Sequence, residues 1–167
     1  MVTRVGLGFD AHAFAGAGES ARPLVLGGVT IEGAPGLAGW SDADVVSHAL
    51  ADAILGAAGL GDLGAHFPKD AVPEGVSSQR LLADVVAMAA AAGYRIGNVD
   101  ATVVSQEVRI GPHRAGMQAT LAATLGLDPS SVSVKATTTD RLGFAGRGEG
   151  IAALAVALLE RDAPAAG

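Results

Sequence analysis

Three side chains in the first third of the sequence have the types and spacing of metal ligands. Asp10 and His12 stand two residues apart at the end of a predicted strand, so both side chains point to the same side of it. His48 lies in a predicted helix, four residues after Asp44 and four before Asp52. Two imidazoles and a carboxylate suit a divalent transition metal whose fourth position is open to water or substrate. Taken alone, such spacing more often belongs to polar residues with separate structural roles.

The flanking carboxylates and the remaining histidines carry further predictions. Asp44 and Asp52 lie one helical turn from His48, which predicts that they support its ring and fix its tautomer. His66 and His113 fall in or beside predicted loops, without a carboxylate at ligand spacing. We expect these two histidines to be exposed polar residues.

A second candidate site lies in the stretch KATTTDRLGFAGRGEG, residues 135–150. Its threonines supply hydroxyls and backbone N–H groups, and its glycines allow the backbone to approach an anion closely. Arg147 can form bidentate hydrogen bonds to phosphate oxygens, and Asp140 offers oxygen ligands that suit Mg²⁺. The sequence lacks GxxxxGK[ST], which disfavours an ordinary P-loop kinase or ATPase. A glycine-rich hairpin after a threonine-rich strand accounts for the same residues.

Composition restricts the class of protein. The 167 residues favour one domain over 1–167, and the absence of cysteine excludes disulfides and thiolate metal sites. A net charge of -6 argues against a nucleic-acid partner. No signal peptide is apparent, and the longest uncharged apolar run, Ile151–Leu159, is too short to cross a bilayer. We expect a cytoplasmic protein with no membrane partner.

The hydrophobic pattern predicts strands alternating with helices, an α/β (α+β layered) architecture. Strands are predicted at 3–10, 95–107 and 130–139, with a strand or hairpin at 23–31 after a glycine-rich turn at 15–20. Helices are predicted at 42–58, at 78–94 with its end at Gly93, and at 111–127 with Pro112 at its start. Loops are predicted at residues 59–77 and 140–150. The pattern at 151–160 fits helix or strand, and its flanking glycines and short length favour strand.

The first of these helices has a specific predicted start. Ser41 and Asp44 form a capping-box pattern, which places the helix start at Asp42. Its predicted buried stripe is Val45, Val46, Ala49, Leu50, Ala53, Ile54 and Ala57.

Taken together, the motifs resemble one enzyme family. The stretches GFDAHAF, SDADVVSHALADAILGAAGLGDLGAHFP, GNVDATVVSQ, GPHR and VKATTTDRLGFAGRGEGIAA are similar to those of the 2-C-methyl-D-erythritol 2,4-cyclodiphosphate synthases, in order from Gly6 to about Leu159. The resemblance implies a mixed β-sheet with helices packed on one face and a homotrimer with active sites between subunits. It also implies the single-function form, since no cytidylyltransferase domain precedes the matching region. The implied reaction cyclises 4-diphosphocytidyl-2-C-methyl-D-erythritol 2-phosphate with release of CMP, in the non-mevalonate route to isoprenoids.

The resemblance also implies roles for individual residues. Asp10, His12 and His48 match ligands of zinc or another divalent transition metal, and Asp140 matches a ligand of Mg²⁺ (or Mn²⁺). Thr138 matches a threonine that stabilises the transition state. The implied substrate contacts are Asp10, Ala11, His12, Trp40, Ser41, Asp62, Leu63, Gly64, Phe67, Pro68, Lys69, Asp70, Ala71, Ser105, Gln106, Glu107, Val108, Arg109, Ile110, Gly111, Thr137, Thr138, Thr139, Asp140, Phe144 and Arg147. Within this set, Phe67–Ala71 match a mobile loop and Ser105–Gly111 match the segment that lines the cytidine.

The main departure from the family pattern is Trp40, at a catalytic position where the family usually has histidine. An indole carries no positive charge and accepts no proton, although it offers one N–H donor. Zinc and Thr138 suffice for a slower enzyme in one interpretation, and in another His66 or Lys69 has replaced the histidine. A third is an engineered or inactive homologue that still binds zinc and cytidine nucleotide.

The chain departs from the family pattern at three further positions: it has Lys69 where the family often has aspartate, Val108 where it often has proline, and Asp140 where many relatives have glutamate.

An alternative function, a zinc hydrolase of phosphate esters, is disfavoured because no carboxylate is clearly placed as general base.

Overall fold

A computed structural model describes residues 1–16 and 22–163 of the chain. Its elements are β1 (Val2–Ala13), β2 (Pro23–Leu26), β3 (Val29–Pro35), α1 (Val45–Ala58), α2 (Leu63–His66), α3 (Ser78–Ala91), β4 (Arg95–Val104), α4 (Arg114–Leu125), β5 (Val132–Thr137), α5 (Gly143–Gly146) and β6 (Gly150–Arg161). Single 3₁₀ turns precede α4 at Gly111–His113 and β5 at Pro129–Ser131. The glycine-rich turn predicted at 15–20 lies mostly outside the described residues.

Four strands form one mixed sheet in the order β1-β6-β4-β5. Strand β6 is antiparallel to both of its neighbours, and β5 is parallel to β4. Strands β2 and β3 form a separate antiparallel hairpin, whose turn places Gly27 and Gly28 at φ 55° and 74°. The predicted α/β class is confirmed, 23–31 is a hairpin, and 151–160 is a strand.

The helices pack on one face of this sheet, as expected. Helix α1 lies against β1, β6 and β4, α3 packs on α1, and α4 packs on β5. Two glycines of β1 allow the close approach of α1. A Cβ atom at Gly6 would lie 1.9 Å from the Ala53 carbonyl oxygen, and one at Gly8 would lie 1.9 Å from that of Ala49. The helix backbone therefore rests directly on the strand.

The opposite face of the sheet presents an apolar strip. Because side chains alternate along a strand, the neighbours of the two glycines point away from α1. The strip consists of Val5, Leu7 and Phe9 from β1 with Leu154 and Val156 from β6. All five side chains are at least 39% exposed. A contiguous apolar surface of this kind marks an interaction site.

Helix α1 begins at Val45, so its predicted start at Asp42 with a capping box at Ser41 is wrong. Asp44 is the N-cap, with extended backbone, and accepts hydrogen bonds from the N–H groups of Val46 and Ser47 at 3.1 and 3.2 Å. The same buried carboxylate also accepts from Gly27 and Gly28 in the hairpin turn. Burial raises the pKa of Asp44, and these donors oppose the shift. The predicted buried stripe of α1 is confirmed, since each of its residues is at most 1% exposed.

Other element boundaries differ from the prediction for local reasons. Strand β1 continues past Asp10 to Ala13, because its last residues pair with the start of β6. Helices α2 and α5 occupy segments predicted as loops. The helix predicted from residue 111 begins at Arg114, after the 3₁₀ turn that contains Pro112. No described helix is long and apolar enough to cross a membrane.

Candidate functional site

Asp10, His12 and His48 converge where the end of β1 passes the first turns of α1. The Asp10 Oδ2 atom lies 3.1 Å from His12 Nε2 and 2.9 Å from His48 Nδ1. The candidate ligand atoms of the three residues all lie within 4.8 Å of one another. The structure therefore brings together the three residues that the sequence singled out.

Hydrogen bonds on the far side of each ring orient both imidazoles. His12 Nδ1 lies 2.6 Å from the carbonyl oxygen of Ala38, which only accepts, so Nδ1 carries a proton and Nε2 is the nitrogen that faces Asp10. His48 Nε2 lies 3.1 Å from Ser41 Oγ and 2.8 Å from Ser78 Oγ. Partners of this kind fix the tautomer of metal-binding histidines.

The Ser78 hydroxyl sets the tautomer of His48. Its proton is donated to Asp42 Oδ1, and the Ser78 N–H donates to Asp42 Oδ2 at 3.0 Å. The Ser78 oxygen is therefore free to accept from His48 Nε2–H, and His48 Nδ1 is the nitrogen that faces Asp10, at 2.9 Å.

The electrostatics of the cluster suit a cation. Burial disfavours ionisation of Asp10, but hydrogen bonds and charges from His12 and His48 outweigh it and hold the pKa of that carboxyl well below its usual range. The hydrogen bond that His12 donates to Asp10 raises the pKa of His12, although burial of the ring opposes this. An ionised carboxylate and two imidazole nitrogens that face it fit the donor set of a Zn²⁺ site with an open position, provided that the metal displaces the protons shared with Asp10.

A cavity of about 350 Å³ opens beside the cluster. It is lined by His12, Trp40, Ser41, His48, Leu63, Gly64, Phe67, Pro68, Lys69, Val72, Val76 and Leu81. Nine of these belong to the predicted metal-binding or substrate-contacting residues. The sequence analysis missed the other three, Val72, Val76 and Leu81, whose apolar side chains carry no chemical signal.

The position of Trp40 bears on how the family's histidine is replaced. The Trp40 Nε1–H group donates to the Val72 carbonyl oxygen at 2.9 Å, so the indole's donor is already used. His66 Nε2 lies 2.7 Å from the Leu60 carbonyl oxygen, and His66 is not among the residues that line the cavity. Lys69 does line it. Of the two candidate replacements, Lys69 is therefore the better placed.

A second cavity, of about 610 Å³, is lined by most of the residues predicted to contact the cytidine. It is lined by Ser105, Gln106, Val108, Arg109, Ile110, Gly111, Pro112, Ala136, Thr137 and Thr138. The two linings have no residue in common. Within a single chain, the candidate metal centre and the predicted nucleotide segment thus open into different cavities.

The glycine loop after β5 holds the remaining polar candidates. The Thr138 hydroxyl donates to Asp140 Oδ1 at 3.3 Å, and Asp140 has a positive φ of 50°. The guanidinium of Arg147 donates two hydrogen bonds to the Glu149 carboxylate, at 2.7 and 3.1 Å. Binding of a phosphate by Arg147, as predicted, would therefore compete with this ion pair.

Several predicted contacts lie outside both linings: Asp10, Ala11, Asp62, Asp70, Ala71, Glu107, Thr139, Asp140, Phe144 and Arg147. Asp10 nonetheless belongs to the metal cluster. Asp62 caps α2 by accepting from the Ala65 N–H group at 2.9 Å.

The predicted support of His48 by Asp44 and Asp52 is wrong. Asp44 is occupied by the hairpin turn and the helix start, and Asp52 accepts from the Leu63 N–H group at 2.7 Å. The actual partners are Ser41 and Ser78. Ser78 was missed because it lies 30 residues along the chain, and nothing in its local sequence marks it. His66 is exposed as predicted, whereas His113 is half-buried.

Fold and site together define an α/β protein with a mixed sheet and a candidate metal centre of two histidines and one carboxylate. The YgbB family model matches residues 3–160, and the chain belongs to this family. The 2-C-methyl-D-erythritol 2,4-cyclodiphosphate synthase of Alkalilimnicola ehrlichii is 54% identical over 95% of this chain and 96% of that protein. The family resemblance found in the motifs is therefore confirmed, and with it the classification of the chain as an enzyme.

Solved structures agree with this assignment. The bifunctional IspDF of Campylobacter jejuni superposes with a TM-score of 0.90 and 41% identity, over 96% of this chain and 43% of that longer chain. IspF of Plasmodium falciparum, described as a CDP complex, superposes with a TM-score of 0.83 and 33% identity, over 96% of this chain and 97% of its own.

Proposed function

We propose that the chain converts 4-diphosphocytidyl-2-C-methyl-D-erythritol 2-phosphate into 2-C-methyl-D-erythritol 2,4-cyclodiphosphate and CMP. In this reaction an oxygen of the 2-phosphate attacks the β-phosphorus, and the bond from that phosphorus to CMP breaks. The observation that carries the proposal is the convergence of Asp10, His12 and His48 beside a cavity, in a chain 54% identical to a synthase of that name.

Most of the catalytic work in such a transfer is positioning and charge neutralisation. Asp10, His12 and His48 would hold zinc, which polarises and orients phosphate oxygens when bound. Lys69 lines the same cavity and adds a positive charge to its wall, and the apolar residues Leu63 and Phe67 line another part of it. Asp140 is the proposed Mg²⁺ ligand.

The second cavity is the proposed site of the cytidine moiety. Residues Ser105–Gly111 and the Thr137–Thr138 pair supply backbone and hydroxyl donors there, and Arg109 adds a positive charge. The CDP complex of the Plasmodium falciparum relative supports this assignment of the ligand class.

The proposed active unit is a homotrimer in which neighbouring subunits complete each site, with residues 1–167 of each chain forming one domain. Two observations support the assembly. The metal-side and cytidine-side cavities are separate within one chain, so a single substrate needs a second copy to reach both. The apolar strip of Val5, Leu7, Phe9, Leu154 and Val156 is a surface that association would bury.

A second candidate function is a homologue that binds zinc and cytidine nucleotide without turnover. The observation that favours it is the bond from Trp40 Nε1 to Val72, which occupies the single neutral N–H donor that the indole offers where the family usually has histidine.

Phosphorus NMR of the purified protein with the cytidine substrate, Zn²⁺ and Mg²⁺ tests both functions. We expect a cyclic diphosphate and CMP in equal amounts, and no product from an Asp10→Asn control. Unchanged substrate together with retained zinc and CMP binding would establish the non-catalytic homologue instead. An uncyclised 2,4-bisphosphate released together with CMP would point to hydrolysis.

A further inference from the structure

The cavity beside the metal cluster is walled on one side by residues 68–76, here named the pocket loop. Backbone bonds hold its C-terminal end: the Gly75 N–H donates to the Trp40 carbonyl oxygen at 2.7 Å, and the Asp42 N–H donates to that of Val76 at 3.0 Å. Arg22 adds a bond to Glu74 at 2.8 Å, while also donating to the carbonyls of residues 39 and 41. Residues 74–76 are thus tied to the segment around Trp40.

The middle of the pocket loop has a different attachment. Within the described residues, the hydrogen bond that reaches residues 68–73 from outside the loop is the one from Trp40 Nε1 to the Val72 carbonyl oxygen, at 2.9 Å. The other bonds in this stretch are internal to the loop, from the Ala71 N–H to the Pro68 carbonyl oxygen and from the Val76 N–H to the Pro73 carbonyl oxygen. Among the described residues, the bond from Trp40 is therefore the hydrogen bond by which the rest of the chain holds the stretch that contains Pro68, Lys69 and Val72.

We propose that Trp40 is a positioning residue that fixes the pocket loop before any ligand enters. Its backbone carbonyl holds the end of the loop, and its indole N–H holds the middle, so one residue fixes the loop at two points. An ordered wall keeps Lys69 and Val72, which line the cavity, in place. Because the loop is ordered in advance, ligand binding does not have to supply the cost of ordering it. The link to the reaction rests on the function proposed above, whereas the link to the loop does not.

The chain offers a substitution confined to the proposed bond. Trp40 is its single tryptophan, so growth on β-(3-benzothienyl)-L-alanine replaces the indole N–H by sulfur at this one site. The ring keeps its size and shape, and only the donor is lost. Trp40→Phe is a second variant that also removes the donor, and Arg80→Gln is a matched control that removes an exposed hydrogen bond on the neighbouring α3.

Hydrogen exchange by mass spectrometry measures the order of the loop without substrate or metal. We expect amides in peptides covering residues 69–75 to exchange about three- to tenfold faster in the benzothienyl protein and in Trp40→Phe, which is the effect of one neutral hydrogen bond. The Arg80→Gln control should match the wild type. Unchanged exchange in both Trp40 variants would overturn the proposal.

The wild-type protein gives an independent readout that requires no variant to fold. Its ¹H–¹⁵N spectrum contains one tryptophan indole resonance, whose proton we expect to exchange with water several-fold more slowly than that of a free indole. Exchange at the free rate would show that the bond to Val72 does not persist in solution, and would overturn the proposal.

Kinetics then connect the loop to the reaction. In the benzothienyl protein, KM for the cytidine substrate should rise by about three- to tenfold, and by more than kcat falls, because the lost bond acts on binding. A fall in kcat with constant KM would contradict a positioning role. Absence of turnover in the wild type would overturn the proposed function while leaving the exchange result intact.

Discussion

Ser78 Oγ lies 2.8 Å from His48 Nε2, on the side of the imidazole ring opposite to the nitrogen that faces Asp10. Ser78 is the first residue of α3, and its hydroxyl and backbone N–H both bond to the Asp42 carboxylate. The orientation of a candidate metal ligand in α1 therefore depends on the start of a different helix. A bond of this kind raises the basicity of the ligand and holds its ring in place.

Replacing Ser78 should weaken metal binding without removing a ligand. We expect Ser78→Ala to lower the affinity for Zn²⁺ by about 10- to 100-fold, because His48 loses the nearer of the two hydroxyl partners of its Nε2 atom. Competition with a chromogenic chelator measures this affinity. Ser77→Ala is the matched control, since the adjacent Ser77 makes no side-chain cap bond. Equal affinities in the two variants would show that Ser78 does not support the site.

Metal binding should stabilise the folded chain. Zn²⁺ at a hundred times its Kd should add about 2.7 kcal/mol to the free energy of unfolding, because the cluster exists only in the folded state. Calorimetric melting with and without the metal measures the change. Asp10→Ala should abolish the shift, and His66→Ala, which alters a histidine outside the cluster, should retain it. A similar shift in Asp10→Ala would place the metal elsewhere.

Part of this site was predictable from the sequence because its signals are local. Alternation along a strand puts Asp10 and His12 on one side, and the helical period correctly gave the buried face of α1. The helix start was not predictable, because Asp44 is held by the glycines of a hairpin turn 16–17 residues earlier. The partners of His48 and Trp40 likewise come from contacts made only by the folded chain. The single-turn helices α2 and α5 were not predicted, because their glycine-containing sequences resemble loops.

Restoring the family's histidine should raise the rate. The indole donor of Trp40 is engaged by Val72, and Trp40 lines the cavity proposed to hold the phosphates, so a histidine at this position would add a group that can carry a positive charge there. We expect Trp40→His to increase kcat by about tenfold or more, within the range that one transition-state contact supplies. Release of CMP under saturating substrate measures kcat. An unchanged kcat would mean that Zn²⁺, Thr138 and Lys69 already supply what the histidine would.

The apolar strip provides a test of the proposed assembly. Leu7 is 68% exposed in the isolated chain and lies at the centre of the β1 part of the strip. Leu7→Glu should shift the sedimentation of the protein from trimer to monomer, because burying an unpaired carboxylate in an apolar interface is costly. Ala87→Glu places the same charge on the exposed side of α3 and should leave the assembly unchanged. A wild-type chain that sediments as a monomer would refute the assembly itself.

The contact between β1 and α1 can be tested with a pair of glycines that face opposite environments. A Cβ at Gly8 would lie 1.9 Å from the Ala49 carbonyl oxygen, so Gly8→Ala must push the helix away from the strand. We expect it to lower the free energy of unfolding by about 1–3 kcal/mol or more. Since Asp10 is on β1 and His48 on α1, the same displacement should weaken Zn²⁺ binding.

Gly56 is the matched control for this substitution. It lies on the exposed side of α1, and a Cβ there meets nothing within 4 Å. Gly56→Ala should therefore stabilise the chain by about 0.5–1 kcal/mol through the restricted backbone of the unfolded state, and should leave Zn²⁺ affinity unaltered. Urea unfolding of both variants, followed by zinc titration, measures the two effects. If Gly8→Ala were as stable as Gly56→Ala, the close packing of α1 on β1 could not be what holds His48 beside Asp10.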